Sequence, residues 1–202
     1  MFDDALRAFK DRLLWPFAVA IGTRISPNAV TLAAFLVGLI AATLAARGDY
    51  GAALGAWLLN RILDGVDGTL ARATEQQSDF GGYLDIVLDF AVYAAVPIGL
   101  VVAVQDRLTA LLGAALLGAF FVNGASWMYL AAILERRGEG AAALGERTTI
   151  RMPAGLIAGT ETVVLYSLFL ILPAKLPLLF TLMMAGVVIT IVQRLIWARR
   201  NL

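Results

Sequence analysis

Four aspartates between residues 64 and 89 are the side chains whose types and spacing point most clearly to chemistry. Within each pair the residues stand three or four apart, which places them on one face of a helix. They are Asp64, Asp67, Asp85 and Asp89. Clustered carboxylates are hard oxygen ligands that suit Mg²⁺, Mn²⁺ or Ca²⁺. The sequence contains no His and no Cys, so the usual general base, zinc ligand and haem ligand are absent.

Small residues and one arginine accompany these carboxylates. Gly68, Ala71 and Arg72 continue the helix face of Asp64, and Gly81 stands one turn before the second pair. The small residues would let a nucleotide lie against the helix backbones, and the arginine is placed to hold a phosphate oxygen. Because Mg²⁺ in proteins is commonly held by a few carboxylates together with substrate phosphates, the pattern predicts a diphosphate substrate.

The two helix faces should bring the four carboxylates to a similar depth, because a short polar connection makes the helices antiparallel neighbours. Unpaired, four charges near the middle of a bilayer would cost about 10–14 kcal/mol at about 2.5–3.5 kcal/mol each. Arg61 and Arg72 are too few to neutralise them. Two divalent ions would balance the charge.

The elements that position these residues are expected to be membrane-spanning helices. Of the 202 residues, 60% are hydrophobic and 15% are charged, and the mean hydropathy is +0.82, which is typical of an integral membrane protein rather than a soluble domain. We predict an all-α protein with a single membrane domain over residues 1–202. The predicted spans are residues 28–46, 51–72, 80–104, 108–135, 150–172 and 176–197. The net charge of +1 indicates no nucleic-acid partner.

Residues 1–22 are predicted to form a helix in the membrane interface. Phe2, Leu6, Phe9 and Leu13 recur at helical spacing, and charged residues fill the other face. The acidic start does not fit a signal peptide. The segment Ser26-Pro27-Asn28 then indicates the start of the first span.

Basic residues predict the orientation of these spans. If the N-terminus is cytoplasmic, the other side of the membrane carries only Arg47, Arg107 and Lys175, and Arg61 lies within the second span. The cytoplasmic side then carries Arg7, Lys10, Arg12, Arg24, Arg72, Arg136, Arg137, Arg147, Arg151, Arg194, Arg199 and Arg200. We therefore expect six spans in the cytoplasmic membrane, with both termini and the aspartates on the cytoplasmic side.

The aspartate pattern resembles the signature of the CDP-alcohol phosphotransferase (CDP-alcohol phosphatidyltransferase) family. The matching positions are Asp64-x-x-Asp67-Gly68-x-x-Ala71-Arg72, then eight residues, then Gly81-x-x-x-Asp85-x-x-x-Asp89. They cover 26 residues without a deviation. The six-span layout extends the resemblance over the chain, and the segment from Ser26 to Thr31 adds a weaker match.

The resemblance implies how the residues would work. The four aspartates would bind two divalent cations, Mg²⁺ or Mn²⁺, and Asp89 would also be the general base that deprotonates the acceptor hydroxyl. The residues expected to bind the CDP moiety are Gly68, Ala71, Arg72, Gly81 and Thr31. CMP would leave, and the enzyme would be a homodimer.

The resemblance implies an enzyme of phospholipid biosynthesis that transfers a phosphatidyl group from CDP-diacylglycerol to an alcohol. Transfer of a phosphocholine- or phosphoethanolamine-type group from a CDP-alcohol to a lipid hydroxyl is the alternative. A divalent-cation transporter is the alternative of another class, since acidic residues inside a membrane also mark ion pathways. The sequence lacks the internal repeats that many transporters show.

The acceptor alcohol depends on residues outside the motif. Phosphorylated acceptors in the family commonly accompany Lys or Arg directly after the fourth aspartate, and Phe90 stands there, which disfavours glycerol 3-phosphate and inositol phosphate. Arg136 and Arg151 are candidate cations for an acceptor pocket. Glu161 is predicted to lie buried within the fifth span, where it serves the acceptor or pairs with another helix. Serine, choline, phosphatidylglycerol and phosphorylated polyols remain open.

Overall fold

The computed structural model describes residues 15–16, 18–20, 22–140 and 155–202, and within them the chain is helical apart from short turns. Six α-helices follow one another in these residues. They are α1 (Pro27–Ala46), α2 (Tyr50–Ala73), α3 (Asp79–Val104), α4 (Arg107–Arg136), α5 (Gly159–Ile171) and α6 (Leu176–Asn201). Short 3₁₀ turns at Gly22–Arg24 and Pro173–Lys175 precede α1 and α6.

Polar caps start the first three helices where the sequence predicts breaks. The Ser26 hydroxyl accepts a hydrogen bond from the Ala29 N–H at 3.3 Å, and Pro27 follows as the first residue of α1. Asp49 caps α2, and Ser78 caps α3 by accepting from the Gly81 N–H at 3.1 Å. Such caps satisfy backbone donors that have no partner inside the helix.

Five of the six predicted spans coincide with helices. Their starts agree with α1, α2, α3, α4 and α6 to within one residue, and their ends to within four. The fifth span was predicted over residues 150–172, whereas α5 has 13 residues. A helix of that length is about 20 Å long, shorter than the roughly 30 Å hydrocarbon core.

Four helices in the described part of the chain are long and apolar enough to cross a membrane. They are Pro27–Ala46, Asp79–Val104, Arg107–Arg136 and Pro173–Asn201. The other two differ for different reasons: α2 is long enough but carries the polar motif, and α5 is apolar but short. The interfacial helix predicted for residues 1–22 falls almost wholly outside the described residues, of which 15–16 and 18–20 are helical.

The chain divides into two compact units. The first comprises the described part of residues 1–106 together with Tyr166–Ala174, and it contains α1, α2, α3 and the second half of α5. Its fully buried side chains include Trp57, Leu70, Val96, Leu100 and Tyr166. The second comprises the described part of Arg107–Leu165 and Lys175–Leu202, with Leu116, Phe180 and Met183 among its fully buried side chains.

In the first unit, glycines let α1 and α3 approach closely. A Cβ atom added at Gly99 of α3 would collide with the Ala42 carbonyl oxygen of α1, and one added at Gly38 would collide with the Val92 side chain. Small residues at helix contacts are typical of membrane proteins, because close backbone approach gains packing where lipid offers no hydrophobic drive. Helix α1 also packs against α2. The start of α1 is therefore held beside the aspartates.

Candidate active site

The four aspartates of the motif line one small cavity in the first unit, as their spacing predicts. Helix α2 contributes Asp64 and Asp67, and helix α3 contributes Asp85 and Asp89. Helix α1 closes a third side. The complete lining is Thr31, Ala34, Phe35, Asn60, Asp64, Asp67, Asp85, Leu88, Asp89 and Val92.

Asp67 is the most deeply placed of these carboxylates, and a hydroxyl of α1 holds it. Its residue is 5% exposed, and the Thr31 Oγ1 lies 2.7 Å from its Oδ2. The same hydroxyl is 3.1 Å from the Pro27 carbonyl oxygen, so its one proton is shared between two acceptors. Thr31 was predicted to bind the CDP moiety. In the structure its hydroxyl contacts Asp67, and its contact with CDP stays a prediction.

Asp89 forms a two-point ion pair with Arg61 of α2. The Arg61 Nη2 donates to Asp89 Oδ1 at 2.6 Å, and the Nη1 donates to Oδ2 at 3.3 Å. The same guanidinium lies 3.9 Å from the Asp64 carboxylate. Two parallel hydrogen bonds between a guanidinium and a carboxylate fix the orientation of both groups as well as their distance. The residue expected to be the general base is therefore held in place by a neighbouring cation.

The Arg61 side chain lies in a closely fitted polar and aromatic environment. It is 8% exposed, and its guanidinium carbon is 4.8 Å from the Trp57 ring centroid and 4.9 Å from that of Tyr93. The Tyr93 hydroxyl accepts from Nη1 at 2.8 Å, and the Asn60 Oδ1 accepts from Nε at 2.8 Å. Asn60 in turn donates to the Ala34 carbonyl oxygen at 2.7 Å.

An aromatic cluster supports this environment from the side of α5. Trp57 stacks on Tyr166 with centroids 5.1 Å apart, and its Nε1 donates to the Ser167 hydroxyl at 3.2 Å. The Tyr166 hydroxyl donates to the Tyr93 carbonyl oxygen at 2.6 Å. Buried aromatic rings usually satisfy their polar atoms in this way. The second half of α5 thus belongs to the scaffold of the site.

The remaining motif residues stand at the ends of α2 and α3. Gly68 leaves open space beside the helix, since an added Cβ would meet only the Arg72 side chain at an ordinary contact distance of 3.4 Å. Arg72 donates to the Thr69 hydroxyl at 3.3 Å, and Ala71 is half-buried. At Gly81 an added Cβ would lie 3.0 Å from the Asn28 Oδ1. The missing side chain at that position gives room to α1.

The residues predicted for the acceptor pocket are divided between the units. Phe90 is exposed on α3 of the first unit, directly after Asp89. Arg136 ends α4 in the second unit, and Arg151 lies outside the described residues. The prediction that Glu161 is buried within a span is wrong: it stands in the first turn of α5, is half-buried, and accepts from the Ala158 N–H at 3.1 Å. A carboxylate favours that position because it satisfies a free backbone donor.

The donor set fits hard divalent cations, because four carboxylates from two helices face one cavity and Arg61 offsets only part of their charge. Within the described residues, however, no group of three or more acidic side chains stands close enough to hold one ion. Thr31 contacts the Asp67 carboxylate, and Arg61 pairs with the Asp89 carboxylate. Arg61 was expected only to neutralise part of the aspartate charge, although its position three residues before Asp64 places both on the same helix face.

Comparison with known proteins agrees with the motif. The family model for CDP-alcohol phosphatidyltransferase matches residues 24–192. The inner membrane protein YnjF of Escherichia coli is 41% identical over 150 residues, which are 74% of this chain and 71% of that protein. The bifunctional IPC transferase and DIPP synthase of Thermococcus kodakarensis is 43% identical over 68 residues, which are 33% of this chain and 15% of that protein.

The fold is similar to that of phosphatidylinositol phosphate synthase (PgsA1) of Mycobacterium tuberculosis. The crystal structure of that protein with CDP-DAG bound superposes with a TM-score of 0.72 at 24% identity, covering 91% of this chain and 92% of the other. Its structure in complex with manganese and citrate gives a TM-score of 0.70 at 23% identity, covering 90% and 87%.

These matches confirm the enzyme class expected from the aspartate motif, and they favour it over the divalent-cation transporter. The apolar helices and the inner-membrane relative support a protein of the cytoplasmic membrane. This chain is a membrane transferase that belongs to the CDP-alcohol phosphatidyltransferase family.

Proposed function

We propose that this protein transfers a phosphatidyl group from CDP-diacylglycerol to an alcohol in phospholipid biosynthesis. The observation that carries this proposal is the convergence of the four motif aspartates on one cavity in a chain of this family. The acceptor oxygen would form a bond to the β-phosphorus of the donor while the bond between that phosphorus and the CMP oxygen breaks. The acceptor proton would pass to a carboxylate, and CMP would leave.

The proposed cofactors are two divalent cations, Mg²⁺ or Mn²⁺, held by Asp64, Asp67, Asp85 and Asp89. When bound, they would neutralise the diphosphate of the donor and the charge that develops on CMP. The manganese in the structural neighbour from Mycobacterium tuberculosis supports this assignment. Thr31 would hold Asp67 in position, and Arg72 would hold a phosphate oxygen at the end of α2.

The residues proposed to bind CDP are Gly68, Ala71, Arg72, Gly81 and Thr31. Gly68 and Ala71 would let the nucleotide approach the backbone of α2, with Gly81 on α3 keeping the opposite wall close. Asp89 would accept the proton of the acceptor hydroxyl. Its ion pair with Arg61 would hold the carboxylate in one orientation.

The acceptor would be chosen by residues outside the motif. Phe90 places an apolar ring beside Asp89, where a phosphorylated acceptor would favour a cation. Arg136, Arg151 and Glu161 are the polar candidates for the remainder of the pocket. We further propose six spans after an interfacial N-terminal helix, with both termini and the active site on the cytoplasmic side, and a homodimer.

The test is turnover of the purified protein with labelled CDP-diacylglycerol, Mg²⁺ or Mn²⁺, and a panel of alcohols that includes serine, choline, phosphatidylglycerol and phosphorylated polyols. We expect CMP release and a labelled lipid product with one acceptor, and neither with Asp64→Asn. Transfer from CDP-choline to diacylglycerol instead would establish the alternative donor. Absence of CMP release with every acceptor and with both donors would contradict the proposed function.

A further inference from the structure

Arg61 engages both oxygen atoms of Asp89. Its two terminal nitrogens lie 2.6 Å and 3.3 Å from Oδ1 and Oδ2, so the guanidinium occupies the edge of the carboxylate from which both oxygens could reach a cation together. Arg61 also lies 3.9 Å from Asp64, so its positive charge acts on a second carboxylate of the cavity. A cation of the protein itself thus lies against a carboxylate that is proposed to bind a divalent ion.

The surroundings hold the guanidinium firmly in this position. Trp57 and Tyr93 lie within 5 Å of its central carbon, the Tyr93 hydroxyl accepts from Nη1, and the Asn60 side chain accepts from Nε. Each terminal nitrogen therefore has a partner, and the side chain is 8% exposed. An arginine so closely fitted is part of the built site, unlike an exposed arginine whose ion pair contributes little.

The pair has a consequence for the charge of the cavity. Four aspartates line the cavity, and Arg61 is paired with Asp89 and lies 3.9 Å from Asp64. A cation that approaches Asp89 must share its oxygens with the guanidinium or displace it.

We propose that Arg61 is a positioning residue that acts as an internal counter-ion: it holds Asp89 and competes with divalent ions for its oxygens. The competition weakens cation binding until the diphosphate of the donor adds its own negative charge. This inference rests on the proposed function, because it concerns the same metal-binding aspartates.

The experiment measures Mn²⁺ binding to the metal-stripped protein in detergent, without donor or acceptor, from the electron paramagnetic resonance signal of free Mn²⁺. We expect Arg61→Gln to bind Mn²⁺ about tenfold more tightly than wild type, since close buried charge pairs couple by at least that factor. Arg61→Met keeps an apolar side chain between the Trp57 and Tyr93 rings. It replaces the glutamine variant in the same measurement if that variant does not fold. Arg47→Gln removes an exposed arginine at the end of α1 and should leave the affinity unchanged.

A double-mutant comparison isolates the route through Asp89. If Arg61 acts through that carboxylate, neutralising Arg61 in an Asp89→Asn background should change Mn²⁺ affinity by less than about threefold. Equal or weaker Mn²⁺ binding by both neutral Arg61 variants, or a tenfold change that persists without Asp89, would overturn the inference. Failure of wild type and variants alike to bind Mn²⁺ would overturn the metal site, and the proposed function with it.

Discussion

At the scale of single residues, Asp89 lines the cavity and is held in position by its ion pair with Arg61. We expect Asp89→Asn to lower kcat about 100-fold or more, because general-base catalysis typically contributes that much. The measurement is CMP release under saturating donor and Mn²⁺. Asp79→Asn, at the exposed first turn of α3, is the matched control and should keep its activity. Near-normal turnover of Asp89→Asn with bound metal and donor would show that another group takes the proton.

Thr31 offers a finer test of how the carboxylates are held. Thr31→Val preserves the shape of the side chain but removes the hydroxyl that lies 2.7 Å from Asp67 Oδ2. Losing a hydrogen bond to a charged group costs about 1.5–3 kcal/mol, so we expect the Mn²⁺ concentration for half-maximal activity to rise about tenfold. Thr43→Val on the same helix is the control. The Thr43 hydroxyl donates to the Leu39 carbonyl oxygen of its own helix and is not part of the cavity lining. An equal effect of both substitutions would indicate a general loss of helix stability.

The sequence predicted the acidic side chains of the cavity more completely than their partners. The four aspartates and Arg72 follow from spacing along two helices, which is a local property. The hydrogen bond between Thr31 and Asp67 joins residues 36 apart in the sequence. The hydrogen bond from the Tyr166 hydroxyl to the Tyr93 carbonyl oxygen joins residues 73 apart. Such contacts depend on which helices pack against each other, and the spacing of residues along one helix does not predict that.

At the scale of elements, the approach of α1 to α3 depends on residues without side chains. We expect Gly99→Ala to lower the free energy of unfolding by about 1–3 kcal/mol, because its Cβ would meet the Ala42 backbone, which cannot yield as a flexible side chain would. The measurement is unfolding of the purified protein in a mild detergent. Gly118→Ala in α4 is the control, since nothing lies within 4 Å of the added atom. Unchanged stability of Gly99→Ala would mean that the two helices are free to separate.

Helix ends were predictable where the chain carries a capping side chain or a proline. Ser26, Asp49 and Ser78 each mark a start that the structure confirms. The fifth helix was not predictable in the same way, because its apolar residues continue beyond both of the ends that the structure gives it. Hydropathy measures how well a segment tolerates lipid, and it does not distinguish a helix from an apolar turn that a neighbouring polar side chain stabilises. The Ile157 N–H, which donates to the Thr190 hydroxyl at 2.8 Å, is such a case.

At the scale of the whole molecule, the proposed six spans require α2 and α5 to cross the bilayer in addition to the four long apolar helices of the described residues. The chain contains no cysteine, so single cysteines can report the side of each connection without background. If all six segments cross with the N-terminus inside, a membrane-impermeant maleimide should label Arg47→Cys and Lys175→Cys in intact cells. It should label Gln76→Cys and Glu139→Cys only after the membrane is opened.

Each pair of cysteine positions lies on either side of one of these two helices. Arg47 and Gln76 flank α2, and Glu139 and Lys175 flank the segment that contains α5; all four residues are exposed at the ends of helices. Labelling of both members of a pair from the same side would mean that the helix between them enters and leaves on one face. For α2 that result would also move the aspartates, because a helix that does not cross would carry Asp64 and Asp67 near the surface. The expected pattern instead places the basic connections inside, where the positive-inside rule favours them, and puts the acidic cavity within reach of a cytoplasmic nucleotide.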